Sequence, residues 1–386
     1  MSLHNKKVLI ATGTRAEYGL LRPLIRRLDS TADVILLVTG THLSPEFGYT
    51  LQEIEADGFE HLEKVEILMS SDSSVGVVKS MGLGLISFGE VFERIQPNLI
   101  ILLGDRYEML SVASAAIIMK IPIAHLHGGE LTEDSFDESI RHAITKMSHL
   151  HFTSTEEYRR RVIQLGEQPK RVFNVGAIGL DNIKYTELLN KDGLEKELKI
   201  KLNKRIFLIT YHPVTLEEYP LKKQVDNLLA ALEIFDDATF ILTKANADPS
   251  GRYINDKLAL WVENRKNAHL FDSLGSRRYL SMLCAADVVI GNSSSGIIEA
   301  PGLGTVTVNI GDRQKGRVRA DSIIDCSYSR DEIVRSIKKA LSKEMIQVLA
   351  KSENPYGEGN TSENIIRILN TVDFPSILTK KFYDWK

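Results

Sequence analysis

The chain of 386 residues is predicted to fold as an α/β protein with two domains, each built on a parallel β-sheet. Short apolar runs alternate with longer amphipathic segments along the whole sequence. Each run is apolar at consecutive positions, which is typical of parallel strands that helices cover on both faces. The length also suffices for two domains of ordinary size, each with its own core.

The apolar runs are predicted to be strands, and the segments between them helices. After the first run, for example, Leu21, Leu24, Ile25 and Leu28 recur at helical spacing. In chain order, the predicted strands are residues 7–12, 33–40, 98–104, 121–126, 150–154, 205–211, 239–244, 287–293 and 305–310.

One segment, residues 176–204, interrupts this alternation. It holds many charges and several glycines but no buried-strand pattern. We therefore predict an N-terminal domain over 1–175, an inter-domain passage over 176–204 and a C-terminal domain over 205–365. Residues 366–386 are predicted to form a tail that packs back on the N-terminal domain.

Composition excludes several classes of protein. The net charge of −3 provides neither a basic footprint for nucleic acid nor a polybasic membrane patch. Cys284 and Cys326 are far apart, which fits neither a disulfide framework nor a zinc site and suits a reducing compartment. No apolar run approaches the ~20 residues of a membrane span. We predict a cytoplasmic protein with no nucleic-acid or membrane partner.

The segment 99–142 is the strongest candidate for chemistry. Two predicted strands end in "GDR" at 104–106 and "HGGE" at 127–130, and "FDESIRH" at 136–142 then opens a helical pattern. Ligands of open parallel sheets bind at the carboxyl ends of strands, so acids and a histidine there indicate acid/base work. Helix caps and tight turns are the alternative interpretation. The candidate residues are Asp105, His127, Glu130 and Asp137.

A nucleotide-binding pattern lies in the predicted C-terminal domain. The string "GNSSSGIIE" at 291–299 ends a buried strand and opens a helix, where small residues let the backbone approach a phosphate. Its candidates are Asn292, Ser293, Ser294, Ser295, Gly296 and Glu299, the last placed on the first helical turn for ribose hydroxyls. A polar N-cap with a capping-box glutamate is the alternative.

Five further residues follow predicted strands. Arg313 and Arg317 belong to the loop "GDRQKGR", which suits either a diphosphate clamp or a basic surface loop. His212 is fixed by the proline after it, and Asn246 lies in a polar strand exit. In the N-terminal domain, Arg15 of "TGTRAEYG" offers a fork of donors for a diphosphate, unless it only begins a helix in solvent.

Together these strings resemble the hydrolysing UDP-N-acetylglucosamine 2-epimerases of the bacterial sialic acid branch. The strings "TGTRAEYG", "LGDRYE", "HLHGGE", "HPVT", "GNSSSGIIE" and "NIGDRQKGR" span about residues 7 to 319 in the family's order. The resemblance implies a glycosyltransferase-B-like fold, two doubly wound domains with a cleft between them. It implies conversion of UDP-N-acetylglucosamine and water to UDP and N-acetylmannosamine, through elimination to 2-acetamidoglucal and hydration, without metal or cofactor. It also implies a homodimer or homotetramer.

Carried over by motif, Asp105 and Asp137 resemble the catalytic carboxylates, and His212 a contact or acid near the leaving diphosphate. Arg15, Asn246, Ser293, Ser294, Glu299 and Arg313 resemble the UDP-binding set. One position departs from the family, because many relatives have a glutamate where this chain has His127. Either His127 performs the acid/base step, for which histidine is suited near neutral pH, or Glu130 does. We favour a contribution from His127 over a structural imidazole.

Other functions remain open at this stage. They are a hydrolysing 2-epimerase of UDP-N,N′-diacetylbacillosamine, a non-hydrolysing UDP-N-acetylglucosamine 2-epimerase, a UDP-sugar glycosyltransferase and a sugar-nucleotide sensor. The acids at 105, 130 and 137 favour chemistry on the sugar ring over transfer to an acceptor.

Overall fold

The computed structural model describes residues 3–69, 73–131, 136–214, 219–245 and 251–385. The chain divides into two compact units. Unit 1 comprises Met1–Asn182 together with Tyr356–Lys386, and unit 2 comprises Ile183–Pro355.

Unit 1 is built on a parallel sheet of seven strands in the order β3-β2-β1-β4-β5-β6-β7. The strands are β1 Lys7–Thr12, β2 Asp33–Thr39, β3 Leu62–Val65, β4 Leu99–Leu103, β5 Ile123–Leu126, β6 Leu150–Thr153 and β7 Val172–Asn174. Its helices are α1 Arg15–Asp29, α2 Leu51–Ala56, α3 Ser74–Ile95, α4 Tyr107–Ile118, α5 Phe136–Met147, α6 Glu156–Gln164, α7 Gly179–Tyr185, which continues past the unit boundary, α15 Thr361–Leu369 and α16 Phe374–Ile377.

Alternate residues of each central strand of unit 1 serve two separate cores. Val8 and Ile10 face α1 and α15, whereas Leu9 and Ala11 face α3 and α4. All four side chains are at most 1% exposed. Burial on both faces explains the unbroken apolar runs in the sequence, and it makes the sheet doubly wound.

Unit 2 repeats this plan with six parallel strands in the order β10-β9-β8-β11-β12-β13. Phe207 and Ile209 pack in one core and Ile206 and Leu208 in the other. The strands are β8 Arg205–Thr210, β9 Ala238–Thr243, β10 Ala268–Phe271, β11 Val288–Gly291, β12 Val306–Ile310 and β13 Ile323–Cys326. The helices are α8 Lys191–Leu198, α9 Leu221–Leu232, α10 Gly251–Glu263, α11 Gly275–Ala285, α12 Ser294–Gly302, α13 Arg330–Ala340 and α14 Lys343–Leu349.

The predicted domain limits need correction at both ends of unit 2. The division falls after Asn182, so residues 176–182 belong to unit 1 and not to a separate passage. Residues 356–365, predicted to close the second domain, also belong to unit 1. The reason is local bonding: the Asp181 carboxylate accepts the N–H groups of Thr361 and Ser362, at 2.8 and 2.7 Å. Ile365, fully buried, then lies in the core beside α1.

Helix α3 is the one described helix that is long and apolar enough, by length and composition, to cross a membrane. A third of its most apolar window is buried (33%), and helices of soluble cores satisfy the same criterion. It packs against α4 in unit 1, so we treat it as part of that unit.

Candidate functional site

Each sheet has one position where neighbouring strands lead to helices on opposite faces. In unit 1 this switch lies between β1 and β4, and in unit 2 between β8 and β11. Ligands of doubly wound sheets bind in the crevice at this position, outside the carboxyl ends of the strands. Arg15 begins α1 after the loop that follows β1, and Asp105, His212 and Asn292 lie in the loops after β4, β8 and β11. These four predicted residues therefore lie at the switch position of their unit, whereas His127 and Glu130 follow β5 and Arg313 follows β12.

Asp105 is held by an arginine of the neighbouring loop's helix. Arg141 of α5, which is 4% exposed, donates through Nη2 to Oδ2 of Asp105. Its Nη1 lies 3.7 Å from Oε2 of Glu138, and His142 Nε2 lies 3.0 Å from Oε1 of the same carboxylate. Arg141 thus connects the loop after β4 to the first turn of α5, where Asp137 lies half-buried.

A buried histidine, His125, bonds to the same loop after β4. His125 Nε2 lies 2.7 Å from the carbonyl of Gly104, and its Nδ1 lies 3.1 Å from Thr145 Oγ1. A carbonyl can only accept, so Nε2 carries the proton and Nδ1 accepts from the threonine. Burial lowers the pKa of His125 to about 3, which keeps the ring neutral. The histidine fixes the backbone next to Asp105 without adding charge.

His127 has both ring nitrogens engaged. Its Nε2 accepts the N–H of Ile178 at 3.2 Å, so the ring proton lies on Nδ1, which is 3.0 Å from Oε1 of Glu130. Ser154 donates to that same oxygen at 2.7 Å. The residue also has φ of +64°, a left-handed conformation that non-glycine residues adopt mainly at functional or constrained sites.

This geometry favours Glu130 over His127 as the group that exchanges protons. A base needs a free lone pair, and the one on His127 Nε2 is taken by a backbone amide. The preference for His127 stays a prediction, and the observed contacts are those of His127 and Ser154 with the Glu130 carboxyl, which they orient. Gly129 fits the turn between them because it has φ of +80° and a Cβ there would lie 2.5 Å from the Tyr158 carbonyl.

Arg15 lies at the exposed rim of the unit 1 crevice. It is the first residue of α1, its side chain is 56% exposed, and Nη2 pairs with Glu53 at 2.9 Å. An exposed pair of this kind contributes little stability, so the guanidinium can exchange its partner for a phosphate at small cost.

In unit 2, Asn292 joins three strand exits. Its side chain accepts the N–H of His212 at 2.7 Å and donates to the carbonyl of His212 at 2.8 Å. Its own carbonyl accepts from Arg313 Nη1 at 3.0 Å and from Gln314 Nε2 at 2.9 Å. The loops after β8, β11 and β12 are thereby held together, and Arg313 and His212 are positioned at one edge of the sheet.

His212 is a neutral imidazole in this arrangement. Burial lowers its pKa to about 4, and the nearby charge of Arg313 acts in the same direction. Its Nδ1 is buried and has no hydrogen-bond partner within the described part of the chain. A dianionic ligand beside it would stabilise the protonated form, so this histidine is suited to respond to a diphosphate.

The serine-rich loop begins α12 as predicted, with one difference. Ser293 is the N-cap and accepts from Ser295 N–H at 3.4 Å, and Ser294 is the first helical residue. Gly291 is needed here, because a Cβ would lie 1.9 Å from the Thr210 carbonyl. Glu299, however, lies in the second turn of α12 and not in the first, so it does not form a capping box with Ser293. Gly296, in the helix, packs against Thr307 of β12.

Two other predicted residues, Arg317 and Asn246, contribute less to the description of the site. Arg317 is half-buried in the loop after β12, where its backbone N–H bonds to Gln314. Asn246 lies outside the described residues. Within the part of the chain that is described, no group of three or more His, Cys, Asp or Glu side chains could hold a metal ion.

Sequence reasoning missed several supporting residues. Arg141 carried a signal, since it lies one helical turn after Asp137 in the motif at 136–142. His125 carried a signal, since it is a histidine within an otherwise apolar strand. Tyr279 of α11 carried no such signal in the sequence. Its pKa is raised by burial, and it interacts with Ser295, Thr210 and Ser293, which places it beside the serine-rich loop.

The chain is similar to known sugar-nucleotide 2-epimerases along most of its length. A family profile described as UDP-N-acetylglucosamine 2-epimerase matches residues 26–370. The chain is 46% identical over 386 residues to a protein of Campylobacter jejuni subsp. jejuni serotype O:2 named GDP/UDP-N,N′-diacetylbacillosamine 2-epimerase (hydrolyzing), covering 99% of this chain and 100% of that protein. It is 43% identical over 383 residues to polysialic acid biosynthesis protein P7 of Escherichia coli, covering 98% and 97%.

The fold has solved counterparts. The crystal structure of UDP-GlcNAc 2-epimerase from Neisseria meningitidis bound to UDP-GlcNAc matches with a TM-score of 0.72, covering 94% of this chain and 99% of that one. Because the sequence identity is only 21%, this likeness concerns the fold alone. Together with the two parallel sheets it confirms the predicted class, two doubly wound units of the glycosyltransferase-B-like kind.

Proposed function

The chain belongs to the UDP-N-acetylglucosamine 2-epimerase family, and on that premise we propose that it is a hydrolysing 2-epimerase of a UDP-linked 2-acetamido sugar. We assign binding of the nucleotide diphosphate to unit 2 and the chemistry on the sugar ring to the acids of unit 1. The products are UDP and the free 2-epimeric sugar.

The observation that carries this proposal is the linkage of acids in unit 1. Arg141 bonds to Asp105, and the helix that carries Arg141 also carries Asp137 in its first turn. Glu130 follows the adjacent strand β5 and is oriented by two hydrogen bonds. Three carboxyl groups on neighbouring loops suit a reaction with more than one proton transfer, and simple sugar transfer to an acceptor does not need them.

In the first step a carboxylate removes the proton at C2 as the C1–O bond to the diphosphate breaks, which leaves a C1=C2 double bond in a 2-acetamidoglucal. In the second step, water adds its oxygen to C1 while an acid delivers a proton to C2 from the opposite face. The net change is one water consumed and C2 inverted. We propose Asp105, Glu130 and Asp137 for these transfers.

The leaving diphosphate gathers negative charge, so its departure needs positioned donors. The N-terminus of α12, the Arg313 guanidinium and the His212 imidazole supply them at the edge of unit 2. Arg15 of unit 1 is proposed as a further contact to the anionic substrate. Asn246 and Glu299 are proposed as contacts to the nucleotide.

Two sugars are candidates for the substrate of this reaction. The sequence alone favoured UDP-N-acetylglucosamine and sialic acid synthesis. The 46% relative named for N,N′-diacetylbacillosamine favours that substrate instead, and we place it first. The 43% relative named for polysialic acid biosynthesis keeps UDP-N-acetylglucosamine as the second candidate.

A direct comparison of substrates tests this order. The purified chain is given UDP-N,N′-diacetylbacillosamine, its GDP form and UDP-N-acetylglucosamine, and kcat/KM is measured from nucleotide release. We expect the diacetylbacillosamine nucleotide to be preferred by about tenfold or more, because an unfilled polar subsite is costly. A preference for UDP-N-acetylglucosamine would reverse the order and leave the reaction type intact.

We also propose a homodimer, through α3. This helix exposes an apolar stripe on one face, made of Val75, Val78, Leu83 and Ile86 (62, 66, 42 and 66% exposed). Pairing with the α3 of a second copy, antiparallel and two-fold symmetric, would bring Leu83 to Ile86 and the exposed Lys79 to the exposed Glu90. Among the described residues, no atom lies within 4 Å of a Cβ built on Gly82 or Gly89, which leaves room for close approach of a helix there.

A further inference from the structure

Three ionisable side chains, the buried Glu17 and Glu108 and the partly exposed Arg106, lie together at the switch between β1 and β4. Glu108, in the first turn of α4, is fully buried, and its two oxygens accept from Arg106 Nε at 3.0 Å and Nη2 at 2.9 Å. Glu17, in the first turn of α1, is 8% exposed. The mechanism proposed above uses none of the three.

The two carboxyl groups flank a single glycine. A Cβ on Gly13 would lie 3.4 Å from Oε2 of Glu17 and 3.5 Å from Cδ of Glu108. Gly40, with φ of +58°, brings the loop after β2 against the same point, because a Cβ there would lie 3.0 Å from Glu108 Oε1. Loops from β1, β2 and β4 therefore meet on this pair of carboxyls.

Glu17 is bonded to the loop that leads to Arg15. Its Oε2 accepts the N–H groups of Gly13 at 2.8 Å and Thr14 at 3.0 Å, and the Thr14 hydroxyl oxygen accepts the N–H of Glu17 at 3.2 Å. Its other oxygen, Oε1, is buried and has no hydrogen-bond partner in the described part of the chain. Burying an ionised carboxylate oxygen that accepts no hydrogen bond costs free energy, which favours the protonated form of Glu17.

The charge balance leads to the same conclusion. Arg106 carries one positive charge and its bidentate bonds already neutralise Glu108. Ionised Glu17 would leave the group with a net negative charge, whereas protonated Glu17 leaves it neutral. Arg106 and Glu108 are the charged groups that act on Glu17, and the adjacent His42 is neutral because burial lowers its pKa to about 4.

We propose that Glu17 is a positioning residue that stores one exchangeable proton beneath the Arg15 and Asp105 loops and thereby makes sugar-nucleotide binding pH-dependent. When Glu17 is protonated, it holds the loop after β1, and the group of Glu17, Arg106 and Glu108 has no net charge. Ionised, it places a negative charge two residues from Arg15, the proposed substrate contact of unit 1, and weakens binding of the anionic sugar nucleotide. Burial raises the pKa of Glu17 to about 7, and Glu108 acts in the same direction, so the change falls near neutral pH.

The proton site is tested without reference to activity, by NMR of the intact chain with ¹³C-labelled glutamate carboxyls. We expect one glutamate resonance to titrate near neutral pH and to vanish in Glu17→Gln. In Glu108→Gln the resonance should titrate at lower pH, because Arg106 is then available to Glu17. A glutamate set that titrates entirely in the ordinary acidic range would overturn the proposal.

The binding consequence rests on the proposed function and is tested separately. Between about pH 6 and about pH 8.5 we expect KM for the sugar nucleotide to rise about three- to tenfold, with a smaller change in kcat. Glu17→Gln, which has nearly the same shape, should abolish that rise. Glu156→Gln, in the exposed first turn of α6, is the matched control and should retain it.

A KM profile that persists in Glu17→Gln would overturn the positioning role. If the chain turned over no sugar nucleotide at all, the proposed function would fail, and the carboxyl titration would still decide the proton site.

Discussion

The paired variants His127→Gln and Glu130→Gln separate a supporting histidine from a reacting carboxyl. His127 Nε2 is occupied by the N–H of Ile178, so the ring donates from Nδ1 to Glu130 and has no lone pair to offer a substrate. Glu130→Gln removes the group that exchanges protons, and general acid/base catalysis contributes ~10²- to 10⁴-fold. We expect turnover to fall by that amount.

His127→Gln should cost much less. A hydrogen bond to a charged group contributes about 1.5–3 kcal/mol, which corresponds to ~10- to 150-fold. Glu130 keeps its bond from Ser154 in this variant, so we expect the lower end, about tenfold. Ser154→Ala removes the other bond to the same oxygen and is the matched control, with a loss of similar size.

The assay is initial-rate release of nucleotide at saturating substrate, with free sugar measured in parallel. Glutamine at position 127 must adopt φ of +64°, which costs on the order of 1 kcal/mol, so thermal unfolding of each variant is recorded. The reasoning is refuted if folded His127→Gln loses ~10³-fold or more while Glu130→Gln stays within about tenfold of the wild type.

Three further predictions concern other parts of the molecule. Arg141→Met should lower kcat by ~10- to 100-fold in a rate assay, because it removes the bond that holds Asp105. The affinity for UDP, measured by calorimetry, should stay unchanged because unit 2 is intact. An equal loss of UDP affinity would argue against this. Burial lowers the pKa of His212 to about 4 in the folded protein. Between about pH 6.5 and pH 4 the unfolded chain therefore binds more protons at this residue than the folded chain does. The stability of the wild type should decrease as the pH is lowered through that window. Relative to His212→Gln, the free energy of unfolding should drop by ~2 kcal/mol between pH 7 and pH 5, and parallel denaturant curves would contradict this. Ile86→Glu should convert the dimer to a monomer in light scattering, and an unchanged mass would remove α3 from the interface.

The sequence predicted the interior of both sheets and missed their edges. Every predicted strand is present, and the four that were missed, β3, β7, β10 and β13, are the outermost strands. An edge strand is covered less completely, so its residues need not be apolar at consecutive positions. β3, for instance, reads "LEKV" and has one buried residue. The apolar pattern used for detection depends on burial from both faces, which edge strands lack.

The site shows a similar limit. Residues that end a buried strand, such as Asp105 and His212, could be found because an apolar run stops at them. Residues that act through another element could not, because spacing along the chain carries no information on long-range contact. The bond from Ile178 to His127 joins positions 51 residues apart, and it changes the interpretation of that histidine. Asp181 likewise accepts from Thr361 across 180 residues and moves a domain boundary.

The reaction run in D₂O and followed by NMR tests the central claim most directly. With UDP-N,N′-diacetylbacillosamine or UDP-N-acetylglucosamine, we predict UDP and a free 2-epimeric sugar that carries deuterium at C2. Deuterium enters because the proton at C2 is lost in elimination and replaced from solvent on hydration. A 2-epimer still linked to UDP, or free sugar with its original C2 proton and configuration, would contradict the account.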